Sequence, residues 1–468
     1  MRLSALLLGA AITARSVGAH PLDLPFEIEG NIYDELDKRQ SGSVITTGVP
    51  GATYPRLEIR QLQSSNPNQW TLFLLAMQQF HAQAQTDATS YYQISGIHGV
   101  PRTNYNGVAQ CSTCANTDGY CTHDSVHFPS WHRVYLALFE QQLVATAVSI
   151  ANAWPTTGNS VTRAQMQTAA STLRLPYWDW AAIPANGGPD LPPSITDKSI
   201  SINTQTGQKT IINPLFRHDF TDASGLVYSP FINWKVTLRY PSSTAANAVS
   251  QNQNAISAFD NIRASLQDQV YQLFATCANY LHFSNGAAGS STTQCSNSLE
   301  GIHNTIHTTS GGGPSSTVNA GGHMYYLATA AFDPVFWLHH CNTDRLFALW
   351  QTLHPAQYGA TQNALNPTWT IAQGSAQNKN SPLTPFTKDA SGNFWTTAQV
   401  QNWNTTFHYT YPEYTNSDGS KAAITDAVNR LYGPSASAAS AKFKRQDNGT
   451  VTNTTADSTP LVANNGSL

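Results

Sequence analysis

Four stretches of this chain repeat apolar residues every third or fourth position, and that periodicity constrains the fold more than any other feature. In the first, Asn66 and Pro67 read as a cap followed by a first-turn proline, and Trp70, Phe73, Leu74 and Met77 share one face. Pro129 opens the second, with Leu136, Phe139, Leu143 and Ile150 aligned. The third covers 256–281 through Phe259, Ile262, Leu266 and Leu273. Asp333-Pro334 starts the fourth, which contains Phe336, Leu346, Phe347 and Trp350 before Pro355 stops it. No comparable set of alternating strands occurs. The pattern predicts a mainly α fold: a four-helix bundle core with long loops and few short strands. Gly/Pro/Asn-rich stretches at 184–214 and 357–393 read as surface loops, and there is no internal repeat.

Composition excludes some classes of function. With 40% hydrophobic and 10% aromatic residues, the chain can bury a sizeable core, so global disorder is excluded. A net charge of -3 with no basic stripe argues against a nucleic-acid partner. At the start, Arg2, an apolar run over 3–14 and Val17-Gly18-Ala19 follow the order of an export signal at 1–19 rather than a buried helix. That run is too short to span a bilayer, and no later segment approaches the roughly 20 apolar residues a span needs. The expectation is a secreted, extracellular protein with no membrane partner. Asp37-Lys38-Arg39-Gln40 suggests removal of a pro-segment at 20–39, leaving a working domain at 40–434. A second dibasic pair, Lys444-Arg445, lies in a tail at 435–468 that is too polar to build a core and is a candidate for removal. Asn404, Asn448, Asn453 and Asn465 head glycosylation sequons. Six cysteines in an exported chain read first as disulfides.

The chemistry lies in the histidines. His123 and His132 bound one stretch, the second just inside a proline-started helix, and His98 is the third member of that set. His303 and His307 are four apart, one turn apart on one helix face, and His340 comes from the next helix. A single histidine in an apolar helix is ordinarily a hydrogen-bonded core residue. Two sets, each pairing close histidines with a third, point to metal, and facing helices of a bundle are a common place to build such a site. The residue after His303 is Asn304, where a zinc protease would have its catalytic Glu. Glu300 to His303 is the single Glu-x-x-His pair, too few for a di-iron cage. Six neutral imidazoles without a carboxylate suit copper, which also binds nitrogen most tightly among divalent first-row metals. The reading requires His132 and His340 to face each other.

These motifs resemble the tyrosinase/catechol oxidase family, the type-3 copper polyphenol oxidases, and in particular its short secreted fungal members. The first motif runs from His123 through Phe128 to Trp131-His132-Arg133, with Leu136 and Glu140 in step. The second runs from Asp333-Pro334-x-Phe336 through His340 to Asp344. Pro176-Tyr-Trp-Asp-Trp180, Gly322-His-Met324 and Tyr409-x-Tyr411 also match, so the resemblance spans roughly 56–411. It implies two copper ions, one on His98, His123 and His132 and the other on His303, His307 and His340, with His81 as the competitor of His98. It implies dioxygen as co-substrate, small phenolic substrates oxidised from catechol to o-quinone, and a monomer or homodimer. His127, His323 and His339 lie nearby without matching ligand positions, and His339, next to a ligand, is expected to point elsewhere and either to pack or to support a ligand from behind. Asp344 is expected to pair with Arg345 or a ligand ring, with a surface ion pair as the alternative.

Four further roles follow from the resemblance. Cys121-x-His123 implies a thioether from sulfur to the ligand ring, with Cys277–Cys295 and Cys111–Cys114 paired and Cys341 buried; three disulfides including Cys121 are the alternative. Glu300 and Asn304 bracket His303 as a water-holding general-base pair that leaves monophenol hydroxylation open. Leu327 falls at the position of a substrate gate, where a bulky aliphatic favours small phenols. A dioxygen carrier of the haemocyanin kind and a zinc hydrolase remain rival readings.

Overall fold

The computed structural model describes residues 43–114, 119–158, 160–185, 187–288, 295–315 and 318–436. The signal, the pro-segment, the Lys444-Arg445 pair and the sequons at Asn448, Asn453 and Asn465 lie outside these residues. Asn404 lies within them and is exposed.

Six helices organise the domain: α1 (Pro67–Ala82), α2 (Phe128–Asn152), α3 (Asn252–Thr276), α4 (Leu299–Gly311), α5 (Val335–Leu353) and α6 (Lys421–Tyr432). The bundle is a row in which α1 packs on α2, α2 on α5 and α5 on α4. The sequence-predicted stripes of α1, α2 and α5 are buried, most of them completely. The third predicted helix is not the fourth member of this row. Its apolar face packs on α4 and α6 from outside, and the shorter histidine-bearing α4 takes the inner place. It also ends early, at Thr276: Cys277 is tied to Cys295, and Asn279 accepts from the Leu281 and His282 amides to start a separate helix at Tyr280–Ser284. Asn66 caps nothing through its side chain; Pro67 and the Asn66 carbonyl, accepting from Trp70, begin α1.

Strands are short and come in pairs: β1 (Tyr54–Pro55), β2 (Ser199–Thr204), β3 (Gly207–Ile212), β4 (Pro382–Thr387), β5 (Phe394–Thr396) and β6 (Tyr409–Thr410). Two of these correct the expectation of surface loops. In 184–214, β2 and β3 form an antiparallel hairpin whose Ile200 and Ile202 are buried in the main core, with the Asn203 amide donating to Thr71 on α1. In 357–393, β4 is buried from Leu383 onward, and its Thr384 carbonyl accepts from Trp131 Nε1 at 2.7 Å. A polar, Gly/Pro-rich composition hid both, because pairing and side-chain contacts decide strand burial more than composition does.

One further expectation fails. By length and composition α2 is apolar enough to cross a membrane. Of its most apolar window 72% is buried inside the fold, and it carries buried Arg133 and Glu140, so it is a core helix.

Beneath the bundle lies a buried charge network that sequence spacing did not reveal. Asp344 pairs with Arg133 Nε at 2.6 Å and with Arg56 Nη1 at 3.2 Å, and accepts from the Tyr409 and Tyr411 hydroxyls, both at 2.6 Å. Arg56 also pairs with Glu140 at 2.8 Å, and its guanidinium lies 3.5 Å over the Tyr409 ring. Arg345 pairs instead with Asp179 and Glu413. Neither expected arrangement of Asp344 holds, because Arg345 sits on a different helix face. Burial alone would raise the Asp344 carboxyl, but Arg133, Arg56 and the two tyrosines hold it below the ordinary carboxylate range. Parallel pairing of β1 with β6 brings Arg56 and Tyr411 to the same carboxylate. Asp344→Ala takes the carboxylate from the buried Arg133 guanidinium and leaves Arg56 with Glu140 alone; we expect about 3–5 kcal/mol of destabilisation. Denaturant unfolding checks this, and a loss below about 1 kcal/mol would show that the network is not a brace.

Candidate metal centre

The first histidine group is assembled by two loops and a helix. His98 follows a short helix at Tyr91–Gly96, and its loop is held by backbone contacts: Val100 N donates to Ala328 O and Tyr120 N to Ile97 O. The packing is so close that a Cβ on Gly99 would lie 2.3 Å from Ala328 O, and one on Gly119 2.8 Å from Gly99 N. Only glycine fits at either place. His123 comes from the next loop, beside Asp124 in the left-handed region, and His132 from the first turns of α2. The His98 ring centroid lies 5.4 Å from that of His123 and 5.7 Å from that of His132.

The second group is built on α4 and α5. His303 and His307 project from one face of α4, and their Nε2 atoms lie 3.1 and 3.2 Å from His340 Nε2. Two nitrogens on one ion, each about 2.0–2.1 Å from it, stand about that far apart. The groups face each other: the His132 and His340 rings stack at 4.4 Å, and His123 and His303 at 5.9 Å.

What aims these rings is mostly backbone. His98 Nδ1 meets Leu327 O at 2.8 Å, His132 Nδ1 meets Phe128 O at 2.7 Å and His307 Nδ1 meets Met324 O at 3.0 Å. His303 Nδ1 meets Asn304 Oδ1 at 3.0 Å. A carbonyl can only accept, so Nδ1 carries the proton and each Nε2 turns a bare lone pair inward. Phe336 supports the His340 ring at 4.0 Å and Phe128 wedges between His132 and His303 at 4.7 and 4.8 Å. Burial depresses all six imidazoles, His132 to about 3 and His307 to about 4, so they are neutral.

Several neutral lone pairs converging in a buried space repel unless a cation lies among them, and His98 Nε2 has no hydrogen-bond partner among the described residues. The donors fit copper. Ligand atoms within each group lie within 4.8 Å of one another, and among the described residues neither group includes a carboxylate. Imidazoles, with the Cys121 sulfur beside the first group, suit copper or another soft divalent ion, not magnesium or calcium.

The remaining predicted residues fall as follows. His81 packs on Tyr91 and His218, at 4.1 and 4.9 Å, away from both groups. His127 bonds Thr397 and His323 accepts from Leu238 N, as packing residues do. His339 packs on a ligand as expected, stacking on His303 at 4.9 Å, but it does not point elsewhere: its ring lies with the second group. Adjacent residues on a helix diverge by about 100°, but α4 presents two rings across that arc. Cys121 is buried outside both disulfides, with Sγ 3.3 Å from His123 Nδ1 and 3.8 Å from Nε2. Disulfides join Cys111–Cys114 and Cys277–Cys295, and Cys341 is buried against Leu175 O. Glu300 accepts from Asp124 N at 2.8 Å and Gly286 N at 3.3 Å, and burial pushes its carboxyl up to about 8. Asn304 and Leu327 are exposed. The carbonyls of Phe128, Leu327 and Met324 were missed, since backbone acceptors leave no sequence signal.

A helical bundle with two facing histidine groups, one of them joined by the Cys121 sulfur, is the architecture of a binuclear metal site. Residues 88–353 match the family described as the common central domain of tyrosinase. The chain is 36% identical to a tyrosinase of Podospora anserina over 84% of its own length and 70% of the relative's. It is also 36% identical to a Neurospora crassa tyrosinase, over 83% of this chain and 58% of that one. A solved mushroom tyrosinase superposes with a TM-score of 0.73 at 32% identity, covering 83% of this chain and 98% of that one. An Enteroctopus dofleini haemocyanin matches at 25% over 58% of this chain and 16% of its own. The chain belongs to the tyrosinase family of copper oxidases.

The depressed imidazoles set a pH dependence for copper-free protein. Unfolded histidine titrates near 6.5, whereas His132, His218 and His323 are lowered to about 3 and His127 and His307 to about 4. The unfolded chain therefore binds more protons below pH 6.5, and stability present above that pH is lost as pH falls toward 4. Each group contributes up to about 1.4 kcal/mol per pH unit in that window. Unfolding free energies between pH 7 and 4 check this, and a flat profile would contradict neutral burial.

Proposed function

We propose that this chain is a polyphenol oxidase that oxidises small o-diphenols to o-quinones with dioxygen as co-substrate. His98, His123 and His132 hold one copper ion, and His303, His307 and His340 the other. Bound there, the copper pair would supply two one-electron redox centres, and two catechols would provide the four electrons and four protons that turn one dioxygen into two waters. The observation that carries this reading is the inward convergence of imidazole lone pairs from two facing groups.

The protein's own work is positioning, exclusion and proton handling. Three backbone carbonyls and the Asn304 side chain orient four of the six rings, while Phe128 and Phe336 keep the interior apolar. Glu300, anchored by the Asp124 and Gly286 amides, sits beside His303; its raised carboxyl suits a base working near neutrality, and nearby cations favour its charged form. With Asn304 it takes the proton of an incoming monophenol, which supports tyrosinase activity besides catechol oxidation. Leu327 gates substrate at the rim, next to the carbonyl that aims His98. Cys121 Sγ lies 3.3 and 3.8 Å from the two nitrogens of His123, and 3.2 Å from His132 Nε2, a closeness to the His123 ring that supports a thioether formed by oxidative loss of the thiol and ring hydrogens, dioxygen taking the electrons. We further propose that 1–19 directs export, that 20–39 and the 435–468 tail flank the working domain at 40–434, and that it acts as a monomer or homodimer without membrane or nucleic-acid partners.

Copper-loaded protein should hold two coppers per chain and consume oxygen with catechol and, more slowly, with tyrosol. One metal per chain sinks the binuclear reading, and catechol turnover without tyrosol hydroxylation removes the general-base role from Glu300 and Asn304. The haemocyanin match favours one second reading, a dioxygen carrier; reversible oxygenation with no catechol turnover would establish it. Leu327→Gly should raise turnover of bulky catechols relative to catechol itself. An unchanged preference would leave Leu327 no part in selection.

A further inference from the structure

The second histidine group contains one imidazole more than a three-ligand copper needs. We propose that His339 is a reserve ligand of this copper, able to replace one of His303, His307 and His340. The inference rests on the ligand set proposed above and goes beyond it.

Three observations carry it. His339 is fully buried, and its ring nitrogens find no side-chain hydrogen-bond partner among the described residues, only the His303 backbone beside them. Among the other buried histidines outside the ligand set, His127 bonds Thr397 and His323 accepts from Leu238 N, while His218 also lacks a partner among the described residues but packs on His81 and Tyr91, away from both groups. The His339 ring is seated among the ligands, stacked on His303 at 4.9 Å with 17° between planes, and edge-on to His307 at 5.0 Å. One of its nitrogens lies within 4.8 Å of those of His303, His307 and His340. Phenylalanine would give the same stacking without desolvating a lone pair, so the nitrogen calls for a use.

Distances define that use. Ligands about 2.0–2.1 Å from one ion stand at most about 4.2 Å apart, and the four nitrogens all lie within 4.8 Å of one another, so the His339 nitrogen is at or near binding range. The Nε2 atoms of His303 and His307 already stand 3.1 and 3.2 Å from that of His340, whereas His339 makes no ring-nitrogen contact of that length with them. A small side-chain rotation brings it in as another ring leaves. Three imidazoles then stay on the ion throughout the exchange, and the copper escapes slowly.

The test compares copper per chain after gel filtration in wild type, His340→Ala, His339→Phe and the double variant, with far-ultraviolet circular dichroism as the folding control. Wild type should hold two coppers and His340→Ala nearly two, the double variant falling to one. His339→Phe alone should retain two but lose the second to excess chelator about ten-fold faster. If His340→Ala already holds one copper and His339→Phe changes nothing further, the proposal fails while the ligand set stands. Wild type below two coppers refutes the ligand set and the proposal with it. Should His340→Ala not fold, the chelator rate decides, and an unchanged rate in His339→Phe overturns the proposal.

Discussion

Everything at this site depends on a constraint that the protein cannot satisfy by itself. Protons on the outer ring nitrogens are committed to carbonyls of Phe128, Leu327 and Met324 and to Asn304, which leaves inner lone pairs aimed at one another in a buried, neutral space. Neutral burial costs stability in acid and gains nothing from water, so the arrangement makes sense only around cations. The loops are shaped to serve it. Gly99 and Gly119 let three backbone segments touch, and Asp124 turns in the left-handed region so that its amide reaches Glu300 on the opposite group's helix.

The second constraint is mechanical. Two helices approach from opposite sides with His132 and His340, and one residue along from His132, Arg133 binds Asp344, which lies one turn beyond His340. The same ion pair that stabilises the interior thus fixes the relative height of the facing rings. Arg56 and the Tyr409 and Tyr411 hydroxyls complete the charge balance, and buried pairs of this kind persist only when every partner is present.

Much of this is legible in the chain. The stripes on α1, α2 and α5 follow from 3.6-residue periodicity, and the histidine spacings and motifs carry the family assignment. Other parts are not legible. The β2–β3 hairpin and β4 lie in polar, Pro-rich stretches, and their burial comes from partners distant in sequence, as with Trp131 and Thr384. Periodicity carries the third helix too far because Leu281 keeps the phase, while the break at Cys277 depends on a disulfide and on Asn279 capping a new turn. Spacing matches Asp344 to its neighbour Arg345 because proximity along a helix is legible and a salt bridge to Arg133 or Arg56 is not. Adjacency to His340 implies that His339 diverges from the site, which holds only when the partner helix presents a single ring.

The pairing of β1 with β6 has a consequence for how the molecule comes into being. Arg56 leaves the ribosome early and Tyr411 some 350 residues later, yet both neutralise one carboxylate on α5. Until the last of these emerges, Asp344 and Arg133 have an incomplete set of partners, and the facing rings have no fixed separation. Contacts this far apart in the chain form late and slowly. A site able to grip a redox-active ion therefore matures only after nearly the whole domain has been synthesised, which keeps reactive chemistry out of the half-made protein.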